Sequence, residues 1–272
     1  MKTLYISDLD GTLLSRDSKI SDFTRNTINH LVEEGMNITL ATGRSSSSAC
    51  NILDGLTLKI PAVMMNGVFL TDILTKKQIY VCYIPEDKCK RVVDIFLRHN
   101  SPPFIYSFAD DIDAEYRNYK SEYEHKFIEA KKQYHRSFEQ VSVYNLTDKI
   151  VCINAIDENT VTDKIAEDIK KIEGIKFTNH HANYSGTLNF IEVFSPKAGK
   201  WNGINRLKER YGFDRVVAIG DNLNDLEMIR NADVGACVKN AQKELLEAAD
   251  IIIDENDNDG VAKFLLDEWK NR

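Results

Sequence analysis

The chain has 272 residues, enough for one large domain or two modest ones, each with a core of its own. Its 35 Lys and Arg against 42 Asp and Glu give a formal charge of -7, which argues against a general binder of nucleic acid or of anionic membrane. Any anionic substrate must therefore be held by local groups.

Five cysteines (Cys50, Cys82, Cys89, Cys152, Cys237) form no CxxC pair and read as reduced packing residues. The first apolar run breaks at Asp8, too early for a secretory leader, and no run approaches the length of a membrane span. A cytoplasmic protein is expected.

In chain order, the apolar residues Leu4 to Ile6 lead into Ser7, Asp8, Leu9, Asp10, Gly11 and Thr12, the pattern of a buried strand delivering polar groups at its C-terminal end. Ser21 is placed to cap a helix with Ile28, Leu31 and Val32 on one face, and Gly35 to stop it before the apolar segment Met36 to Ala41. Thr42-Gly43-Arg44 follow that second strand and open a Ser-rich helix start. Ala62 to Met65 read as a third strand, ending at Asn66-Gly67. This rhythm predicts an α/β fold with a Rossmann-like parallel sheet and helices on both faces.

From Pro85 the character changes. A helix runs to about His99, a strand covers Phe104 to Phe108, and a long charged stretch reaches Gln140. Lys149 to Ile156, another helix and a strand around Leu188 to Val193 follow. An inserted α/β domain is expected over residues 84–189, with the core built from 1–83 and 190–272. After Lys200 the first rhythm resumes: a helix through Leu207, strands Val216 to Ile219, Val234 to Cys237 and Ile251 to Ile253, helices between them, and a terminal helix.

Chemistry concentrates at the predicted strand ends. Asp8 and Asp10, two residues apart on an extended segment, point to one side and can share a hard cation and a phosphoryl group. The plainer reading is an acidic turn punctuated by Gly11. Gly220-Asp221-Asn222-Leu223-Asn224-Asp225 follows another strand and gathers more oxygen ligands, although Asn222 or Asn224 can equally be a helix cap. Oxygen donors without a sulfur or imidazole cluster point to Mg²⁺ rather than zinc. A phosphoryl group also needs fixed donors and a cation, which Thr42, the Gly43 amide and a lysine supply. Lys197 and Lys200 both fit that last place on spacing alone.

With these elements in this order, the sequence resembles the haloacid dehalogenase-like phosphatases, and within them the Cof-type group of subclass IIB, which carries a large α/β cap after the third strand. The resemblance covers the whole chain: Asp8 and Asp10 in its first motif, Thr42 in the second, Lys200 in the third, Asp221 and Asp225 in the fourth. Asn66-Gly67 and Asn240-Ala241 match two weaker signatures. Family spacing from Glu192-Val193 selects Lys200 over Lys197, and Trp201 departs from the glycine usual after that lysine.

The resemblance implies Asp8 as nucleophile and Asp10 as acid and base. It implies Mg²⁺ held by Asp8, the Asp10 carbonyl and Asp221, and phosphate held by Leu9, Thr42, Gly43, Lys200 and Asn224. Asp225, Asn66 and Asn240 would support the site. The expected activity is hydrolysis of a small phosphorylated metabolite, a sugar phosphate first, through an aspartyl-phosphate, by a monomer or small homo-oligomer. A phosphomutase of the same superfamily and a non-catalytic phospho-ligand binder are the competing readings.

Substrate choice is expected to lie in the inserted domain. Tyr116, Tyr119 and Tyr123 recur at helical spacing and suit either stacking on a sugar or packing. His180-His181 read as loop residues, either a substrate contact or plain surface.

Overall fold

The computed structural model describes residues 1–132, 134–147, 149–181 and 187–271. Its elements begin with β1 (Thr3–Ser7), α1 (Asp22–Glu33), β2 (Asn37–Leu40), α2 (Ser46–Cys50), β3 (Ala62–Met64), β4 (Phe69–Thr71) and β5 (Gln78–Val81). They continue through α3 (Glu86–Arg98), β6 (Phe104–Phe108), β7 (Ile112–Tyr116), α4 (Glu122–Lys132), β8 (Ser137–Gln140), β9 (Ile150–Glu158), α5 (Asn159–Ile169), β10 (Lys176–His181) and β11 (Leu188–Phe194). The chain closes with α6 (Lys200–Tyr211), β12 (Arg215–Gly220), α7 (Leu226–Asn231), β13 (Val234–Val238), α8 (Lys243–Ala248), β14 (Ile251–Ile253) and α9 (Gly260–Lys270).

Two compact units emerge, one of Met1–Val81 with Gly199–Arg272 and one of Cys82–Ala198. The first is built on a parallel sheet in the order β14-β13-β12-β1-β2. β1 is buried at every position, which is why it reads as an unbroken apolar run rather than an alternating one. From β1 the chain winds one way to β2, and from β12 it winds the other way to β13 and β14. Right-handed crossovers then put helices on opposite faces and leave a crevice where the winding reverses, between the carboxyl ends of β1 and β12.

Ser21 caps α1 as expected, its side chain accepting a hydrogen bond from the Thr24 amide at 3.0 Å. The third predicted strand behaves differently. β3 touches the parallel sheet through a single bridge, Ala41 to Val63, and otherwise belongs to an antiparallel β3-β4-β5 sheet. The Phe69–Val81 strands that complete it carry no strong alternation and escaped the sequence reading.

The second unit holds a sheet in the order β10-β11-β9-β6-β7-β8. One face packs on α3 and α5 through Val92, Phe96, Ile105, Ile153, Ile165 and Ile191, all buried. β11 pairs with β9 and β10 over its full length, so residues 190–198 fall in this unit and not in the core, and the boundary drawn at 190 moves to 199. The charged stretch before Gln140 contains β7, α4 and β8, whose short apolar segments the charges obscured.

The tyrosines do not share a helix face. Tyr116 ends β7 with its ring 5.6 Å from that of Phe138, Tyr119 lies between elements beside His125, and Tyr123 is on α4. His180 and His181 are exposed and on β10 rather than in a loop; His180 stacks on Phe190.

Candidate active site

The two acidic segments leave adjacent strand ends. Ser7 pairs with Ile219, and the Asp8 amide continues the ladder by donating to the Ile219 carbonyl at 2.8 Å. The residues that follow the two strands, Asp8 after Ser7 and Asp221 after Gly220, are therefore delivered to one spot. Carboxylate oxygens of Asp8, Asp221 and Asp225 all lie within 4.8 Å of one another.

Lys200, at the first turn of α6, reaches into this group. Its Nζ donates to Asp8 Oδ1 and Asp225 Oδ1 at 2.5 Å each, and all three side chains are buried. Of the two lysines that spacing left open, Lys200 makes these contacts, whereas Lys197 is exposed and belongs to the second unit. Asp225 spends its other oxygen on the amides of Asp221 and Asn222, both at 3.1 Å. With Asn222 as cap this forms a capping box that fixes the turn.

Burial pushes the Asp8 carboxyl well above the usual carboxylate range; Lys200 pulls it down while Asp225 and Asp221 push it back up. Asp221 is raised to about 6, chiefly by burial and then by Asp225. Burial works against the charge on Lys200, but Asp225 and Asp8 outweigh it and raise its pKa. Three crowded carboxylates thus face one ammonium. That excess of negative charge, on oxygen donors alone, fits a hard divalent cation.

Gly11 makes this approach possible. It adopts φ +78°, and a Cβ there would lie 2.4 Å from Asp221 Oδ2. Thr12, one residue on, donates from Oγ1 to Asp221 Oδ1 at 2.8 Å. Asn240 donates to the Gly11 carbonyl at 2.8 Å and accepts from the Asn256 amide, holding the same loop from the other side.

Thr42 is fully buried at the end of β2, its Oγ1 accepting from the Arg44 amide and its carbonyl from the Asn66 amide. Gly43 lies against the Asn66 side chain, where a Cβ would sit 3.4 Å from the amide. Asn66, in the left-handed region at φ +50°, accepts from Asn224 Nδ2 at 3.3 Å, and its carbonyl accepts from the Gly199 amide at 2.7 Å. Leu9 is buried, with its carbonyl taken by the Leu14 amide.

Asp10 stands apart from this cluster. Its exposed carboxylate turns to Arg44, which was not singled out from sequence. Thr12 was also missed, although it sits inside the quoted motif. A threonine after Asp-Gly and an arginine after Thr-Gly were visible signals, but their partners lie 209 and 34 positions away. Trp201 is half-buried at the start of α6.

Residues 5–265 match the haloacid dehalogenase-like hydrolase family. Among known proteins, the chain is 27% identical over 280 residues to the 5-amino-6-(5-phospho-D-ribitylamino)uracil phosphatase YitU of Bacillus subtilis (strain 168), covering 96% of each. A haloacid dehalogenase-like hydrolase from Bacteroides thetaiotaomicron aligns with a TM-score of 0.79 at 24% identity, covering 98% of this chain and 100% of that one. A subclass IIB sugar phosphatase aligns with a TM-score of 0.76 at 20% identity, covering 99% of each. The protein belongs to the haloacid dehalogenase-like hydrolases.

Proposed function

We propose that this protein is a Mg²⁺-dependent phosphatase that acts on a small phosphorylated metabolite, a sugar or polyol phosphate, through an aspartyl-phosphate on Asp8. The observation that carries this reading is one buried ammonium, Lys200, shared between Asp8 and Asp225 while Asp221 stands within carboxylate reach of both. A structural ion pair needs one acid; a third carboxylate at such a site is costly unless a cation and a phosphoryl group use it.

Asp8, Asp221 and the Asp10 backbone carbonyl are the groups that would hold Mg²⁺, with Asp225 bracing the Asp221 loop. When bound, the ion supplies positive charge against the carboxylates and the phosphoryl oxygens. Asp8 attacks phosphorus in line, and the bond to the leaving oxygen breaks as Asp10 gives that oxygen a proton. Asp10, now a carboxylate, takes a proton from the water that attacks the phosphorus of the intermediate. Inorganic phosphate leaves and Asp8 is restored. Lys200, Thr42, the amides of Leu9 and Gly43, and Asn224 orient the phosphoryl group.

These groups touch only the phosphoryl end, so we assign substrate choice to residues Cys82–Ala198. A phosphorylated ribityl chain in the name of one relative and a sugar in that of another support the substrate class. The test is a phosphate-release screen over sugar, polyol and nucleoside phosphates with the intact protein, repeated in excess chelator and after Mg²⁺ is restored. Release that is indifferent to chelator sinks the metal assignment, and no release from any ester sinks the phosphatase.

A further inference from the structure

We infer that Arg44 is a positioning residue that sets the plane of the Asp10 carboxylate for proton transfer, an inference that rests on the phosphatase reading above. Arg44 Nε lies 2.7 Å from Asp10 Oδ2 and Nη2 2.6 Å from Oδ1, a two-pronged contact that fixes direction as well as distance.

The arginine is mounted rigidly. Its amide donates to Thr42 Oγ1 at 3.1 Å, and its carbonyl accepts from the Met65 amide at 2.9 Å, so its backbone is held on both sides by turns of the phosphate-binding region. Among the described residues, the Asp10 carboxylate accepts side-chain hydrogen bonds only from Arg44. Asp10 follows an extended strand end, precedes Gly11 in the left-handed region, and its side chain is 48% exposed. An ion pair this open adds little to stability. Its effect is orientation: without the fork, an exposed aspartate samples several rotamers, and few of them aim a carboxyl oxygen at the leaving group.

Because Arg44 acts through Asp10, its removal affects only steps in which Asp10 moves a proton. An alkyl phosphate needs a proton on its departing oxygen, whereas p-nitrophenyl phosphate leaves as a stable phenolate. The parameter kcat/KM covers phosphorylation of Asp8 and departure of the alcohol, and it excludes the later attack of water.

The experiment compares wild type, Arg44→Met, Asp10→Asn and the double variant on a sugar phosphate and on p-nitrophenyl phosphate, with saturating Mg²⁺. Arg44→Met is expected to lower kcat/KM for the sugar phosphate by about tenfold or more, within the range of general acid catalysis. Its loss on the aryl ester is expected to be much smaller, and in the Asp10→Asn background it costs less than about twofold on either substrate. Arg44→Lys, which keeps the charge and loses the fork, should resemble Arg44→Met. Equal losses on both substrates, undiminished when Asp10 is already gone, overturn the inference and make Arg44 a direct phosphate contact. Retained aryl turnover reports that the variants fold, while a wild type inert on both esters removes the phosphatase reading itself.

Discussion

Lys200 Nζ and Asp225 Oδ1 meet at 2.5 Å with both side chains essentially inaccessible to water, on the same ammonium that serves Asp8. Removing the cation strands two buried carboxylates. Lys200→Met should lower the unfolding free energy by roughly 3–5 kcal/mol, measured by denaturant titration, and abolish turnover. A loss below about 1 kcal/mol would mean that the acids are not ionised together, contrary to their assigned charge.

Asp8→Asn keeps the shape of the nucleophile and removes its charge. Phosphate release should fall by at least about a thousandfold while far-UV circular dichroism stays that of the wild type, since Lys200 retains Asp225. Normal turnover by this variant would remove the aspartyl-phosphate route.

Gly11→Ala tests the closeness of the two acidic loops. The new Cβ would fall 2.4 Å from Asp221 Oδ2 at a φ of +78°, so Asp221 must move. Mg²⁺ affinity, followed by calorimetric titration, should weaken by about 10- to 100-fold, the usual cost of disturbing a ligand's support. Unchanged affinity would show that Asp221 does not hold the ion.

His135 gives the second unit a pH dependence. Its ring packs against Phe138 and Tyr106, neither ring nitrogen has a hydrogen-bond partner among the described residues, and burial, then Lys131, lowers its pKa from 6.5 to about 4. Asp111 and Asp113 oppose that shift without cancelling it. Between those values the unfolded chain takes up a proton that the folded chain refuses, so stability is present above pH 6.5 and lost as pH falls toward 4. The slope should stay below about 1.4 kcal/mol per pH unit. Thermal unfolding of His135→Phe across this window should show a flatter dependence than wild type, and parallel curves would refute it.

Much of the core is legible in the amino-acid sequence. Buried parallel strands such as β1 and β12 announce themselves as apolar runs, and Ser21 or Asn222 announce helix starts, because burial and capping act within a few residues. The short β4 and β5 strands and the charged segment holding β7 and β8 gave no such period, and β11 could not be allotted to a sheet from its own residues.

The amino-acid order by itself determined which acids end which strands, since a strand end is a local event set by hydrophobic runs and turn residues. Only the tertiary structure decided that Lys200 and not Lys197 enters the acidic cluster, that Thr12 braces Asp221, and that Arg44 takes Asp10. Those partners are 192, 209 and 34 residues apart, and a side chain's charge becomes an interaction only once packing brings the other group within a few ångströms and removes the water between them.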